Sequence, residues 1–305
     1  MIAVTLHAFG GPDVLRIEKV PAPTIAPGQV IVDIHAASVN AADWKVRSGN
    51  SAIEVKFPHI LGRDFSGVVS AVSEGVDLEV GDPVFGVCPP GTEGAYAEKI
   101  SIASELIALK PDALTHAEAA AICLAGLTAL VAIEDTLKVT RDEKVLIQGG
   151  AGGVGSMAVQ IANQLGAKVV ATASARNHSY LRDLGATQLI DYNRESVSEN
   201  LGDCDAVLDT IGGHTVADSF AALKSGGRAA FISGGPTAPE PTREGVTSLR
   251  PSVGRSRALM QRLADYAESR AIRPPELTTL PMEDVQRAHE LSQAGHVRGK
   301  IVLIP

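Results

Sequence analysis

The amino-acid sequence predicts an α/β protein with two domains, an antiparallel barrel or sandwich and a doubly wound parallel sheet. Up to about Lys110 the chain reads as short alternating strands cut by Gly and Pro, such as "VIVDIHAASV" and "SGVVSAVSEGV", a pattern typical of antiparallel sheets. From Glu143 onward, near-continuous apolar strands alternate with helical stretches, as a parallel sheet covered on both faces requires. The 305 residues, 45% of them hydrophobic, are enough chain for two cores.

A helical segment joins the two patterns. In "LTHAEAAAICLAGLTALVAIEDTLKV", Thr115 and Glu118 have the spacing of a capping box before an Ala- and Leu-rich run, which predicts a helix beginning there. The tail "PPELTTLPMEDVQRAHELSQAGHVRGKIVLIP" reads as strand, helix and strand. If these last strands return to the amino-terminal domain, that domain is discontinuous.

Composition argues against several classes of function. The formal net charge is -8 and Lys and Arg are scattered, so we expect no nucleic-acid partner. The amino terminus has no basic leader, and no apolar run approaches the ~20 residues that would span a bilayer, so we expect no membrane partner. The cysteines Cys88, Cys123 and Cys204 are odd in number and far apart, which indicates no disulfide framework and favours a cytoplasmic protein.

The strongest local signal is "VLIQGGAGGVGSMAVQIA". Its glycines satisfy G-x-G-x-x-G directly after an apolar strand and at the start of an amphipathic helix. A chain that cradles a pyrophosphate must turn sharply, approach the anion without a Cβ and aim helix-terminal N–H groups at it. A glycine-rich turn without a ligand also fits the motif alone, but the order strand, turn, helix and strand favours a dinucleotide site. The predicted cofactor-binding residues here are Gly150, Ala151, Gly152, Gly153, Val154 and Gly155.

The end of the next strand indicates which dinucleotide binds. An NAD site has an Asp or Glu there for the ribose 2′-OH, whereas this strand ends "VVATASARN" and no acid lies between Lys168 and Tyr180. Ser174 and Arg176 offer a hydroxyl and a guanidinium, which suit the 2′-phosphate of NADPH. The alternative is that Arg176 is an ordinary solvated loop residue.

Several stretches together resemble a known family. They include "GPDVLRIEKVPAPTIAPGQVIVDIHAASVNAADWKVRSG", "FPHILGRDFSGVVSAVSEGV", "VGDPVFG", "AGLTAL", "GGAGGVG" and "GHVRGKIVLIP". On these the chain is identified as a member of the zinc-independent quinone oxidoreductase (zeta-crystallin-like) branch of the medium-chain dehydrogenase/reductase superfamily. The resemblance covers essentially the whole length.

The resemblance implies a GroES-like barrel domain from residues 1–116 and 272–305, a Rossmann domain from residues 117–271, and NADPH in the cleft. It also implies a homodimer, commonly formed through the edge strands of two Rossmann sheets. By resemblance, Tyr192 joins Ser174 and Arg176 near the adenosine 2′-phosphate. Further residues fall where the family approaches the nicotinamide end, although a helix-internal hydroxyl and a strand-ending turn explain them equally well: Thr128, Ser233, Gly234 and Gly235.

The zinc ligands of zinc-dependent relatives are absent from this sequence. Where those relatives place a Cys, this chain has Asn40, and where they place a His followed by Glu it has Arg63 and Asp64. An amide and a guanidinium cannot replace the thiolate and imidazole that zinc needs, and His59 has no neighbouring ligand in the sequence. We therefore expect no metal.

Without a Lewis acid, reduction of an already electrophilic acceptor fits better than alcohol oxidation. A quinone or an α,β-unsaturated carbonyl would develop negative charge on its oxygen, and donors aimed there are what the protein supplies. The predicted catalytic residues are Asn40, Lys45 and Arg63. Many quinone reductases carry a tyrosine near the position of Lys45, so solvent is an alternative proton source, and Asp43 has the alternative role of a helix cap. The alternative function is an NADPH-binding protein of crystallin-like structural or regulatory role with little turnover.

Overall fold

A computed structural model describes all residues 1–305, and the chain divides into two compact units. The first comprises Met1–Leu124 with Gly254–Pro305, and the second comprises Ala125–Val253. The sequence predicted boundaries after residues 116 and 271, whereas the first unit also includes residues 117–124 and 254–271, and the second of these segments contains one helix. That helix packs in the first unit, as described below.

The first unit begins with strands and turns that follow the predicted alternating pattern. In chain order its elements are β1 (Ile2–Leu6), β2 (Leu15–Lys19), β3 (Gln29–Val39), α1 (Ala41–Arg47), β4 (His59–Ile60), β5 (Asp64–Val72), β6 (Pro83–Val87), β7 (Lys99–Ala103) and β8 (Ile107–Leu109). Neighbouring strands pair antiparallel, β3 with β5 and β7, and β5 with β6. From Gln29 to His35 of β3 buried residues alternate with more exposed ones, because one face of the sheet covers the core.

Two glycines in "HILGRDFSGVV" allow this sheet to close. Gly62 has a φ of +91°, and a Cβ there would lie 2.3 Å from the ring of Tyr96. A Cβ on Gly67 would lie 2.0 Å from the carbonyl oxygen of Asp33 on β3. Both positions therefore require glycine for the close approach of the backbone. The buried core around them contains Leu61 and Phe65.

Helix α2 (His116–Leu130) begins where the capping box predicts and continues as a π-helical turn over Val131–Thr136. The Thr115 N–H donates to Glu118 Oε2 at 2.8 Å, and the Glu118 N–H donates to Thr115 Oγ1 at 3.3 Å. The segment His116–Thr136 is long and apolar enough to cross a membrane, yet 78% of its apolar window is buried inside the protein. Such burial is typical of a core helix.

The second unit contains the predicted doubly wound sheet. In chain order its elements are β9 (Lys144–Gln148), α3 (Gly153–Gln164), β10 (Lys168–Thr172), α4 (His178–Asp183), β11 (Gln188–Ile190), α5 (Val197–Asn200), β12 (Cys204–Asp209), α6 (Thr215–Ala221), β13 (Leu223–Phe231) and β14 (Thr247–Leu249). The six strands are parallel and ordered β11-β10-β9-β12-β13-β14. This is the 3-2-1-4-5-6 order of a Rossmann fold, so the prediction of a doubly wound parallel sheet is confirmed.

The last part of the chain returns to the first unit. Its elements are α7 (Arg257–Glu268), β15 (Leu277–Pro281), α8 (Val285–Ala294) and β16 (Lys300–Ile304). Helix α7 packs on β8, and Arg257 Nη2 donates to the Ser104 carbonyl at 3.0 Å, which explains why it belongs to the first unit. Strand β16 pairs antiparallel with β3, Ile301 opposite Val39, so the tail completes the amino-terminal sheet.

Candidate functional site

The glycine-rich turn between β9 and α3 has the geometry of a pyrophosphate cradle. Gly149 has a φ of +75° and its N–H donates to Thr172 Oγ1 at 3.0 Å, which turns the chain at the end of β9. A Cβ on Gly155 would lie 2.2 Å from the Gly149 carbonyl oxygen, whereas a Cβ on Gly152 would lie 3.6 Å from that oxygen. Gly155 is therefore needed for the close packing of α3 on the turn, and Gly152 leaves the face of the turn open.

The start of α3 supplies the donors for such an anion. The helix begins at Gly153, and its amino-terminal cap Gly152 makes no side-chain capping bond. The N–H groups of Gly153, Val154 and Gly155 belong to the first turn, which has no intrahelical acceptors for them. These N–H groups and the positive end of the helix dipole fit a dinucleotide pyrophosphate.

The residues predicted to select NADPH lie at the same edge of the sheet as this turn. Ser174 and Arg176 follow β10, and Tyr192 follows β11, whose Ile190 pairs with Thr172. Arg176 is exposed and Tyr192 is 53% exposed, whereas Ser174 is partly buried, its hydroxyl accepting from Asn177 Nδ2 at 3.3 Å. Exposed donors at the carboxyl ends of neighbouring parallel strands fit a phosphate group there.

The segment after β13, residues 233–235, forms an open turn in the second unit. Gly234 and Gly235 have φ values of +88° and +123°, and a Cβ on either would meet nothing within 4 Å. Arg250, to which the sequence assigned no role, donates from Nη1 to the carbonyl oxygens of Phe231 and Ser233, each at 2.8 Å. Thr128 is buried within α2. Arg250, which directly follows β14, thus anchors the turn of residues 233–235.

Asp209 is a second residue that the sequence interpretation missed. It ends β12, is fully buried and accepts four hydrogen bonds, from the N–H groups of Ile211 and Gly212 and the hydroxyls of Thr215 and Ser219. An Asp that ends a strand before "TIGG" is a signal for such a turn. Its carboxylate fixes the loop that leads into α6.

In the first unit, Asn40 is the centre of a buried polar network. It caps α1, directly after β3. Its Nδ2 donates to Asp64 Oδ2 at 2.9 Å, and its Oδ1 accepts from Lys300 Nζ at 2.7 Å. Ser38 Oγ also donates to Asp64 Oδ2, at 2.6 Å. The amide of the predicted catalytic Asn40 is therefore held from both ends.

Asp64 and Lys300 are both buried, 0% and 6% exposed, with 3.9 Å between Lys300 Nζ and Asp64 Oδ2. Burial raises the pKa of the Asp64 carboxyl, an effect that Lys300 and the hydrogen bonds from Ser38 and Asn40 oppose. Burial lowers the pKa of the Lys300 ammonium, opposed by Asp64. Desolvation outweighs attraction in both groups.

Asp43, the third residue of α1, completes the capping box with Asn40, in agreement with the helix-cap role that the sequence offered as an alternative. Its Oδ2 accepts from the Asn40 N–H and from the Tyr96 hydroxyl, each at 2.8 Å. Burial raises the pKa of this carboxyl to about 6, although Arg63 and these hydrogen bonds lower it. Because the carboxyl is buried, its charged form is less favourable than that of a carboxyl in water.

Arg63 lies in a buried cluster with Glu93 and His59. Arg63 Nη2 is 3.1 Å from Glu93 Oε1, and His59 Nε2 is 3.3 Å from Glu93 Oε2. Burial alone would raise the pKa of Glu93, but the contacts with His59 and Arg63 and nearby backbone N–H groups hold it at about 2. The neighbouring Asp64 has different contacts, with Asn40, Ser38 and the cation Lys300.

Lys45 lies on α1 and is partly buried, with its Nζ 5.6 Å from the centre of the Trp44 ring. This is a cation–π contact. The hydrogen bonds of Asn40 involve Asp43, Asp64 and Lys300 and not Lys45. The role of Lys45 in proton transfer stays a prediction.

The donor set around Asn40 does not fit a zinc ion. No group of three or more His, Cys, Asp or Glu side chains in residues 1–305 is placed to hold a metal. The three side chains at the expected positions are an amide, a guanidinium paired with Glu93, and a carboxylate already bonded to Ser38 and Asn40. Zinc requires thiolate, imidazole or free carboxylate in a tetrahedral array.

Comparisons with known proteins identify the family. Residues 26–112 match the alcohol dehydrogenase GroES-like domain, and residues 184–303 match the zinc-binding dehydrogenase family. A quinone oxidoreductase of Salmonella typhimurium is 31% identical over 327 residues, covering 99% of both chains. This chain belongs to the quinone oxidoreductase branch of the medium-chain dehydrogenase/reductase superfamily.

Other members of this superfamily extend the likeness. The NADPH-dependent alkenal/one oxidoreductase of Arabidopsis thaliana is 32% identical over 310 residues, covering 97% of this chain and 78% of the relative. The crystal structure of Escherichia coli quinone oxidoreductase with NADPH superposes with a TM-score of 0.91 and 29% identity, covering all of both chains. The GroES-like and Rossmann architecture of this quinone oxidoreductase family member is thereby confirmed.

Proposed function

We propose that this protein is an NADPH-dependent reductase of quinones or α,β-unsaturated carbonyls that works without zinc. The observation that carries the proposal is the Asn40 network, in which an amide stands where zinc-dependent relatives have a thiolate and is hydrogen-bonded to the buried pair of Asp64 and Lys300. Since these groups cannot activate an alcohol as a Lewis acid does, the substrate must already be electrophilic. The quinone and alkenal reductases among the relatives support this acceptor class.

NADPH is the cofactor that the second unit fits. The N–H groups at the start of α3 hold its pyrophosphate, and Arg176 with Ser174 and Tyr192 holds the 2′-phosphate, because a guanidinium and hydroxyls are donors for a dianion. When bound, NADPH supplies a hydride. Thr128 and residues 233–235 are proposed for the nicotinamide end.

In the first unit, Asn40 donates to the carbonyl oxygen of the acceptor, on which negative charge develops. Lys45, held over the Trp44 ring, is the proposed source of a proton for that oxygen. Arg63 contributes positive potential while its ion pair with Glu93 keeps it fixed. We further propose a homodimer joined at the edge strand β14 and a cytoplasmic location, which light scattering after size exclusion and cell fractionation test.

The deciding experiment follows NADPH absorbance with a panel of quinones, enones and alcohols, with and without a chelator. We expect oxidation with quinones or enones only, at a rate that the chelator does not change. Turnover that the chelator abolishes would contradict the zinc-free reaction, and no oxidation with any acceptor would favour a binding protein of structural or regulatory role.

The cofactor assignment is tested by the Arg176→Ala change. We expect it to weaken NADPH at least 10-fold, which is about 1.4 kcal/mol, and to leave NADH nearly unchanged, since NADH lacks the 2′-phosphate. Fluorescence titration of both cofactors measures this. Equal effects on the two would show that Arg176 does not contact the phosphate.

A further inference from the structure

Lys300 is a buried cation in the first unit. It is the first residue of β16 and 6% exposed. Its Nζ donates to the Val39 carbonyl at 2.8 Å and to Asn40 Oδ1 at 2.7 Å. An ammonium has three donors and no acceptor, so two of its three hydrogens go to neighbouring residues 39 and 40.

This contact fixes the orientation of the Asn40 amide. Because an ammonium only donates, the atom of Asn40 that faces Lys300 must be the oxygen, which removes the usual ambiguity between the oxygen and nitrogen of an amide. The nitrogen Nδ2 then faces Asp64 Oδ2 at 2.9 Å. A carboxylate accepts only, so both contacts require the same orientation.

One hydrogen of Nδ2 remains available in this arrangement. The first is held by Asp64, and the only other contact of Nδ2 is with the Ser38 carbonyl at 3.5 Å. At that distance a hydrogen bond is weak, so this hydrogen has no strong acceptor within the protein. The Asn40 main chain is also held, because its N–H donates to Asp43 Oδ2 at 2.8 Å.

The positive charge of Lys300 also strengthens the Asn40 amide as a hydrogen-bond donor. Lys300 lies 2.7 Å from the amide oxygen, and a hydrogen bond from an ammonium polarises the amide, which makes its N–H groups stronger donors.

We propose that Lys300 is a positioning residue of the acceptor site, which holds Asn40 Oδ1 so that the second Nδ2 hydrogen is directed at the carbonyl oxygen of a quinone or enone. This rests on the proposed function. Lys300 acts through Asn40 and does not itself contact the acceptor.

The orientation is tested without turnover, by NMR of protein labelled with ¹⁵N-asparagine. The side-chain signals of Asn40 are identified by their loss in Asn40→Asp. In the wild type we expect two well-separated side-chain N–H signals with slow hydrogen exchange. In Lys300→Met we expect the chemical shifts and exchange rates of these signals to move towards those of a solvent-exposed amide. The matched control is Lys99→Met, which removes the exposed Lys99 contact with Asp33 on the same sheet and should leave Asn40 unchanged. Asn40 signals that ignore the Lys300→Met change would overturn the inference.

Kinetics then distinguish a positioning role from a structural one. We expect Lys300→Met to lower kcat about 10- to 100-fold, less than the loss of an oxyanion donor itself, with the Kd of NADPH unchanged and with partial rescue by Lys300→Arg. In an Asn40→Ala background the same change should lower kcat less than about 2-fold, since the group through which Lys300 acts is gone.

Two controls separate the possible failures. Lys300→Met leaves Asp64 without a cation, so the double variant Lys300→Met with Asp64→Asn restores neutrality if the single variant folds poorly. Equal effects of Lys300→Met in the wild-type and Asn40→Ala backgrounds would overturn positioning through Asn40. A wild type that reduces no acceptor would instead refute the proposed function, while the NMR result would still decide the orientation of the amide.

Discussion

Alanine at Gly155 and at Gly152 should have different consequences, although both glycines belong to the same turn. A Cβ on Gly155 would lie 2.2 Å from the Gly149 carbonyl oxygen and 2.8 Å from Gly150 Cα, where real Cβ contacts essentially never fall below 3.0 Å. Backbone atoms must therefore move by at least 0.8 Å, the difference between 3.0 and 2.2 Å. Neither neighbour is a flexible side chain, so α3 must shift relative to β9.

We expect this shift to cost the apoprotein about 1–3 kcal/mol in the free energy of unfolding, as overpacking does. It also moves the N–H groups that start α3, and a misplacement of about 1 Å can cost on the order of 100-fold in an oriented site. Gly155→Ala should thus lose both stability and NADPH affinity.

Gly152→Ala is the matched control. Gly152 has a φ of -77°, which alanine adopts, and its Cβ would have 3.6 Å to the nearest atom. The free energy of unfolding should be unchanged or raised by up to about 1 kcal/mol, because alanine restricts the unfolded chain. NADPH affinity should still fall, since the methyl group occupies the face that the pyrophosphate approaches.

Urea unfolding of the apoprotein and fluorescence titration with NADPH measure the two quantities. Wild-type stability and affinity in Gly155→Ala would refute the packing argument. Unchanged affinity in Gly152→Ala would show that the pyrophosphate lies elsewhere.

Two further predictions concern the buried carboxyl groups of the first unit. The pKa of Asp43 is raised to about 6 from 3.8, so its protonation contributes stability that is present below about pH 4 and is lost as the pH rises through 6. Asp43→Asn should abolish this loss, so the stability of the variant relative to the wild type should rise by up to about 3 kcal/mol between pH 4 and 7. A difference in urea unfolding that does not vary with pH would contradict the assignment. Glu93→Gln leaves Arg63 as a buried cation without its carboxylate and should lower the free energy of unfolding by about 3–5 kcal/mol. The control Asp203→Asn breaks the exposed pair with Lys144 and should lower it by under about 1 kcal/mol. Similar losses of stability in the thermal unfolding of the two variants would count against the buried pair.

Local features of the chain were predictable from the sequence. The glycine turn depends on neighbouring residues and on the strand and helix beside it, and the capping box at Thr115 and Glu118 depends on a spacing of three. The doubly wound sheet follows from alternating apolar strands and helices. In each case the physical cause acts within about 30 residues, as in a βαβ unit.

The partners of charged side chains were not predictable in the same way. Arg63 and Asp64 are adjacent in sequence, and successive side chains of an extended chain point to opposite sides, so one contacts Glu93 and the other contacts Ser38 and Asn40. The contact between Lys300 and Asn40 joins residues 260 positions apart. Only the pairing of β16 with β3 brings them together, and the sequence left that pairing open.

The position of Lys300 on β16, which follows the whole second unit, affects the order of assembly. During synthesis, chain segments fold as they emerge, and the second unit is continuous from Ala125 to Val253. All of its strands are synthesised before β16. Asn40 and Asp64 are translated early, and their partner Lys300 is present only once β16 has been synthesised. The cofactor-binding sheet is therefore free to form on the ribosome, whereas the Asn40 network is completed only as the final strand joins the barrel.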